Sequence, residues 1–183
     1  PFVYVMGKFP APWGNEIRAG VLEALTAFFF CVIMLLSMLG GKHKLADEVE
    51  EDKTYLYYVL TDLLLSSLLA LIYTNDMFTA YVFVEINTIA ACGLIMIRQN
   101  GRPIEAAVRY MIMSLLGSGM LLLGLCMLYD LTGHLLMSNM KEAVTMIVAD
   151  GSYEIPLIVS IVLMSVGLCI KSALFPFHAW LPD

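Results

Sequence analysis

Residues 167–183 read GLCIKSALFPFHAWLPD, and this stretch decides how the rest of the chain is interpreted. An apolar helical pattern meets a single lysine, Lys171, and then a proline, Pro176. An unpaired ammonium group in hydrocarbon costs several kcal/mol. Lys171 therefore either lies at a helix end and reaches the membrane surface, or takes part in chemistry within the membrane.

The composition places the chain in the membrane class. Of its 183 residues, 60% are apolar and 14% are charged, and the mean hydropathy is +0.83. No soluble domain of this length needs so much apolar surface. The lysines and arginines form no basic stripe, so no nucleic-acid partner is expected. The four cysteines lie one per apolar run and are interpreted as small buried residues, and we expect neither a metal site nor a bound cofactor.

Five apolar runs are long enough to cross a bilayer, which requires about 20 helical residues. The runs cover residues 20–40, 54–74, 77–98, 104–129 and 155–175. Gly40-Gly41 is interpreted as the end of the first run, and a charged loop is expected at 42–53. Asn139 is predicted to cap a short amphipathic helix at 139–149 on the membrane surface. The predicted fold class is all-α: a polytopic membrane protein whose fifth span is broken.

Basic residues in the loops predict the orientation of the spans. One side carries more of them and is predicted to face the cytoplasm: Lys42, Lys44, Lys53, Arg98 and Arg102. The opposite side carries Lys8, Arg18 and Lys141. The fifth run then enters from outside, and Lys171 lies roughly 24 Å along it at about 1.5 Å per residue.

Pro176 predicts a break in the fifth run close to Lys171. Proline removes a backbone donor and leaves a carbonyl group without its helical partner. Irregular backbone at membrane depth is tolerated only where it is buried in protein or lines a wet cavity. The same stretch therefore predicts a hydrated site beside Lys171.

Glu85, in the first half of the third run, is the predicted counter-charge of Lys171. Low-dielectric surroundings favour the neutral form of each group, whereas their mutual attraction favours the charged forms. At an effective dielectric constant near 20, two unit charges 4 Å apart interact by about 4 kcal/mol. We predict that Glu85 and Lys171 form a proton-transfer pair, and a purely structural salt bridge between two helices is the alternative.

Two further residues are candidates for proton transfer. His178 follows the break, and an imidazole titrates near neutral pH, so it is a candidate proton carrier. The alternative is an interfacial histidine bonded to a freed carbonyl group. Asp62 lies in the middle of the second run and is a candidate accessory residue, with a packing or hydration role as the alternative.

Several segments resemble a known family. Residues 171–183 are similar to the lysine-bearing broken helix of the antiporter-like subunits shared by respiratory complex I, Mrp-type sodium/proton antiporters and membrane-bound hydrogenases. Val82-Phe83-Val84-Glu85 resembles the helix segment that carries the family's key glutamate. Residues 131–140 resemble the connector before the broken helix, with the greatest similarity to the Mrp D-type and hydrogenase branch.

The resemblance implies a fold, a location and partners. Residues 1–183 would form a single membrane domain that is a fragment of a larger subunit built from inverted repeats. The subunit would be multi-pass, in the cytoplasmic membrane of a prokaryote. Its partners would be other membrane subunits, homologous antiporter-like subunits among them, together with lipid and protons, with sodium left open. It would be a non-catalytic subunit of an oxidoreductase, a hydrogenase or an antiporter, without a redox cofactor of its own.

The function predicted from these observations is proton translocation through the Glu85–Lys171 pair of an antiporter-like subunit. Two other functions stay open from the sequence. The first is a sodium or other cation pathway that uses Glu85 and Asp62 as oxygen ligands. The second is a structural membrane anchor that carries no ions.

Overall fold

Long helices follow the apolar runs of the sequence. The computed structural model describes residues 2–9, 14–97, 101–178 and 180–181, with backbone only at 43, 44 and 46–48. The helices are α1 (Val21–Glu48), α2 (Thr54–Tyr73), α3 (Met77–Met96), α4 (Gly101–Thr132), α5 (Met137–Asp150) and α6 (Glu154–Lys171). All of these except α5 are long and apolar enough to cross a membrane. The predicted all-α polytopic class is confirmed.

Helix α1 is longer than predicted. It continues through Gly40-Gly41 to Glu48, so the expected loop at 42–53 is wrong for its first half. Each glycine costs about 1 kcal/mol in a helix, but the following stretch contains lysine, leucine, alanine and glutamate, which favour helix. A single 3-10 turn, Glu51–Lys53, then leads into α2. Arg98, used for the orientation, lies outside the described residues.

A small β-hairpin, which the sequence did not predict, covers one end of the bundle. Strand β1 (Phe2–Val5) pairs antiparallel with β2 (Glu16–Ala19). The backbone N–H of Asn75, in the α2–α3 turn, donates to the carbonyl of Glu16 at 2.9 Å. The N–H of Met137, at the start of α5, donates to the carbonyl of Asn75 at 2.9 Å. The hairpin, this turn and the α4–α5 connection therefore share one end of the bundle.

Helix α5 packs on the protein. It begins at Met137, and Leu136 occupies the N-cap position without a side-chain capping bond. Asn139 therefore lies inside the helix, and the predicted cap at Asn139 is wrong. Its apolar stripe of Met140, Val144 and Ile147 packs into one core cluster with apolar residues of α3, α4 and α6. Helix α5 connects α4 to α6 along the chain. Because its apolar stripe contacts protein, this stripe is not available to lipid.

Helices α4 and α6 run antiparallel in the most extensive helix–helix contact of the described structure. A Cβ atom on Gly167 of α6 would lie 2.6 Å from the carbonyl oxygen of Gly117 on α4. Two turns away, a Cβ on Gly124 would lie 2.8 Å from the carbonyl oxygen of Ser160. The Ser160 hydroxyl donates to the Gly124 carbonyl at 2.7 Å. Small residues allow such close approach in membranes, and this register places residue 114 opposite residue 171.

Helix α6 ends at Lys171, earlier than the predicted 155–175 run. Pro176 cannot donate a hydrogen bond, its ring clashes with the carbonyl group four residues earlier, and the residue before it disfavours helix. The amide of Ala173 donates to Ile170 O at 3.2 Å and that of Leu174 to Cys169 O at 3.0 Å. Ala173 has a left-handed φ of 51°, as this type of helix ending requires. Lys171 therefore occupies the last turn, where the carbonyl ends of the helix favour a positive charge.

Candidate proton-transfer site

Three helices meet at the ammonium nitrogen of Lys171. Nζ donates to Glu85 Oε1 at 2.8 Å, to Thr88 Oγ1 at 2.8 Å and to Ser114 Oγ at 2.9 Å. The side chains of Lys171 and Glu85 are only 11% and 23% exposed. An ammonium group has three N–H donors, so each of them has an acceptor in this arrangement. The charged form of Lys171 is thus fully hydrogen-bonded inside the helix bundle.

The spacing of the partners explains why they converge. Glu85 and Thr88 are three residues apart on α3 and project from the same face of that helix. Ser114 and Ser118 are four residues apart on α4 and also share a face. The close approach of α4 and α6 brings the Ser114 face against the end of α6. Each side chain is thereby fixed by a helix rather than by a loop.

Glu85 is held at one of its two carboxylate oxygens. Oε1 accepts from Lys171 Nζ and from the Ser118 hydroxyl. The Ser118 hydroxyl also lies 2.7 Å from the carbonyl oxygen of Ser114, so its single proton has two acceptors. Within the described residues, Oε2 accepts no hydrogen bond, so a proton can be added there without displacing a donor.

The charges of the site are coupled by their contact. A proton that passes from Nζ to Oε1 crosses a 2.8 Å gap and converts two buried charges into two neutral groups. Removing one member of a buried ion pair costs about 3–5 kcal/mol, because the other charge is left without compensation. Glu85 and Lys171 can therefore exchange a proton locally, and each depends on the other for its charged form.

The other two predicted residues lie apart from this contact. The His178 side chain is exposed beyond the end of α6, with its ring 5.7 Å from that of Phe175. Asp62 is exposed on α2. Among the described residues, no hydrogen bond or ion pair joins either side chain to Glu85 or Lys171. Within the described part of the chain, no three His, Cys, Asp or Glu side chains form a cluster that could hold a metal ion.

Sequence reasoning missed the hydroxyl groups of the site. Thr88, Ser114 and Ser118 are buried polar residues in otherwise apolar helices. Their signal in the sequence was a polar residue three positions after Glu85 and two serines four positions apart, but the sequence does not reveal which helices pack together.

Tyr110 on α4 also interacts with Thr88 and Ser114. Its ring lies 5.2 Å from that of Trp180, so the segment after α6 returns to α4.

The comparison with protein families gives one match that covers most of the bundle. The family described as NADH:quinone oxidoreductase/Mrp antiporter, TM, matches residues 74–183. This range contains α3 to α6, and with them Glu85, Thr88, Ser114 and Lys171.

Curated relatives come from respiratory and antiporter complexes. The NADH-quinone oxidoreductase subunit N of Desulforudis audaxviator is 34% identical over 188 aligned positions, which cover 100% of this chain and 35% of the relative. A probable K(+)/H(+) antiporter subunit of Rhizobium meliloti is 26% identical, with 98% of this chain and 32% of the relative covered. The chain thus spans about a third of the length of these relatives. The relatives thus include both complex I subunits and an antiporter subunit, as the resemblance predicted.

Two solved structures share the fold. A chain of the membrane-bound sulfane sulfur reductase, an archaeal respiratory membrane complex, superposes with a TM-score of 0.84 at 28% identity, covering 100% of this chain and 36% of the other. A chain of the Mrp complex from Dietzia sp. gives a TM-score of 0.79 at 22% identity, with coverages of 98% and 32%. The second likeness concerns the fold alone.

Proposed function

Because the chain belongs to the NADH:quinone oxidoreductase/Mrp antiporter transmembrane family, we propose that it translocates protons as an antiporter-like subunit of a membrane complex. Glu85 and Lys171 are the proton-transfer pair of this proposal. The subunits named among its relatives belong to multisubunit complexes, and other membrane subunits, homologous antiporter-like ones among them, are its proposed partners. The proposed location is the cytoplasmic membrane of a prokaryote, with the orientation predicted from the loops.

One observation carries the proposal: a largely buried lysine at the end of one membrane helix contacts a glutamate of a neighbouring membrane helix at 2.8 Å. A membrane anchor needs no such pair, since buried charges are costly and apolar residues pack as well or better. The α6 ending beside Lys171 adds irregular backbone, which is tolerated at membrane depth where water or protein can satisfy it. A titratable pair next to such a break supports proton transfer better than anchoring.

The proposed mechanism uses the coupling between the two charges. When a proton reaches Glu85 at Oε2, the carboxylate charge that stabilises the Lys171 ammonium is lost. The ammonium then releases its proton more readily, because the low-dielectric surroundings favour the neutral amine. When Glu85 loses its proton, its charge again favours the charged lysine. Proton arrival at one residue is thus converted into proton release at the other.

His178 and Asp62 have secondary roles in this proposal. His178 lies on the chain immediately after the break and is a carrier for protons that have left Lys171, a role for which its exposed side chain is suited. Asp62, exposed on α2, is an accessory group whose position allows contact with another subunit or with water. Substitution of either residue should reduce pumping less than substitution of the central pair does.

The test compares the single variants Glu85→Gln and Lys171→Met with the double variant in the assembled complex. Each single variant should lose at least nine-tenths of pH-gradient formation, and it should be destabilised by about 3 kcal/mol because one charge is left unpaired. The double variant should recover stability but still fail to pump. If the double variant pumps normally, the pair is only a structural salt bridge and the proposal is wrong.

The sodium pathway is separated from proton transfer by the same variants. It requires the carboxylates of Glu85 and Asp62 to act as ligands together, but Glu85 is bonded to Lys171 and Asp62 is exposed on another helix. A sodium pathway predicts sodium-dependent transport that survives Lys171→Met and fails in Asp62→Asn. The proton-transfer proposal predicts the opposite pattern.

A further inference from the structure

The three acceptors around Lys171 differ in the use of their own protons. Ionised Glu85 has no proton to donate. The Thr88 hydroxyl donates to the backbone carbonyl of Val84 at 2.9 Å. The Ser114 hydroxyl makes a long contact, 3.4 Å, to Thr88 Oγ1 and also interacts with Tyr110, and no shorter hydrogen bond takes its proton among the described residues. Of the three, Ser114 therefore has the proton that is least committed.

This difference matters once a proton has left the pair, which is the step that rests on the proposed function. With Glu85 already protonated at Oε2, the N–H bond of Lys171 breaks and an O–H bond forms on a water molecule, which leaves as hydronium. What remains is a neutral carboxylic acid, whose Oε1 still accepts, beside a neutral amine with two N–H groups and one lone pair. If all three partners continued to act only as acceptors, that lone pair would face an oxygen lone pair.

We propose that Ser114 reverses its hydroxyl at this step, changing from acceptor to donor toward Nζ of Lys171. The two remaining N–H groups then stay with Glu85 and Thr88, and the lone pair accepts from Ser114. The reversal requires only rotation of one hydroxyl hydrogen, with Oγ already 2.9 Å from Nζ. Ser114 thus gives the neutral amine, as well as the ammonium, a complete set of hydrogen bonds.

The environment of Ser114 is suited to such a switch. Ser114 is 5% exposed, so bulk water does not compete for its hydroxyl. Among the described residues, Tyr81 on α3 interacts with Glu85, and Tyr110 on α4 interacts with Glu85, Thr88 and Ser114, while α6 contributes Lys171 itself. Ser118 stays with Glu85, where its proton is shared between the carboxylate and the Ser114 carbonyl. The two serines of α4 therefore serve different members of the pair.

The experiment measures pH-gradient formation against pH in the assembled complex for Ser114→Ala, Ser114→Thr and Ser114→Val. Threonine and valine have nearly the same shape, but only threonine keeps the hydroxyl. Ser160→Ala is the matched control, because Ser160 is a buried serine of α6 that donates to the Gly124 carbonyl, away from the pair. Native electrophoresis establishes that each variant is assembled.

We expect Ser114→Ala and Ser114→Val to pump about tenfold more slowly and with the pH profile displaced by about one pH unit, as the loss of one buried hydrogen bond would produce. Ser114→Thr should restore most of the rate and the profile, and Ser160→Ala should match the parent protein. A uniform loss of rate at every pH, or equal behaviour of threonine and valine, would show that Ser114 only packs. If Ser114→Ala pumps normally while Lys171→Met is inactive, this inference fails and the proposed function stands. If Lys171→Met also pumps normally, both this inference and the proposed function are wrong.

Discussion

Lys171 and Asp62 are both charged residues in apolar helices, but their surroundings are opposite. Lys171 is bonded to Glu85, Thr88 and Ser114, on two neighbouring helices. Asp62 is exposed on α2 and has no hydrogen bond to another described residue. Their difference follows from packing, because small residues draw α4 and α6 together. A charge in an apolar run therefore indicates a site only where neighbouring helices supply partners for it.

The largest effect is expected from a change that separates α4 from α6. A Cβ atom on Gly167 would lie 2.6 Å from the Gly117 carbonyl oxygen and 2.8 Å from the Leu121 amide nitrogen. Backbone atoms cannot move aside singly, so Gly167→Ala should lower the free energy of unfolding by about 3 kcal/mol. Thermal unfolding of the purified complex and the yield of assembled complex measure this loss.

The matched control for that change is Gly119→Ala, on α4. Apart from its own chain neighbours and the adjacent backbone of α4, no described heavy atom would lie within 4 Å of a Cβ atom at Gly119, and alanine favours helix by about 1 kcal/mol over glycine. Gly119→Ala should therefore be neutral or slightly stabilising. Equal stability of the two variants would mean that the close approach of α4 and α6 does not stabilise the packing of the two helices beside Lys171.

A smaller effect is expected from removing one acceptor of the lysine. Thr88→Val keeps the shape of the side chain but leaves one Nζ donor without its partner at 2.8 Å. An unsatisfied buried donor costs about 1–3 kcal/mol, so pH-gradient formation should fall about tenfold. Thr88→Ser, which keeps the hydroxyl, should pump at close to the normal rate. Normal pumping by Thr88→Val would mean that the hydrogen bonds around Lys171 do not distinguish it from Asp62.

The smallest effect is expected at Asp62. Asp62→Asn removes the charge without changing the size of the side chain, and within the described structure it breaks no hydrogen bond. Pumping, measured per assembled complex, should change by less than about twofold, because such exposed substitutions usually alter stability by less than about 0.5 kcal/mol. A loss comparable to that of Glu85→Gln would show that the exposed face of α2 meets a partner that makes Asp62 essential, and the contrast with Lys171 would no longer hold.

The sequence was a good guide to elements and to the central pair. Apolar run length predicted α1 to α4 and α6, and the charges within α3 and α6 pointed to Glu85 as the counter-charge of Lys171, although the spacing alone did not show that the two side chains meet. Both inferences rest on the cost of exposing polar groups to hydrocarbon, which depends little on tertiary detail. The break after Lys171 was also predictable, although its position was misjudged because the effect of Pro176 reaches four residues toward the N-terminus.

The parts that escaped prediction depend on contacts between distant segments. The β-hairpin forms by pairing two short strands over the α2–α3 turn, and nothing within either strand encodes that site. Likewise, Ser114 looks like an ordinary small residue until the register of α4 against α6 is known. Gly117 and Gly167 fix that register, and only then does the serine lie within reach of Nζ.

The most direct measurement of the central claim is pH-gradient formation by Lys171→Arg in the assembled complex. Arginine keeps the positive charge, the donors and the ion pair with Glu85, but it does not release a proton in proteins. If Lys171 works by giving up its proton, the variant should assemble normally and form the pH gradient at less than about a tenth of the normal rate. Such a loss corresponds to an increase of at least about 1.4 kcal/mol in the activation free energy. Normal pumping by Lys171→Arg would contradict the account, because it would show that only the charge is needed.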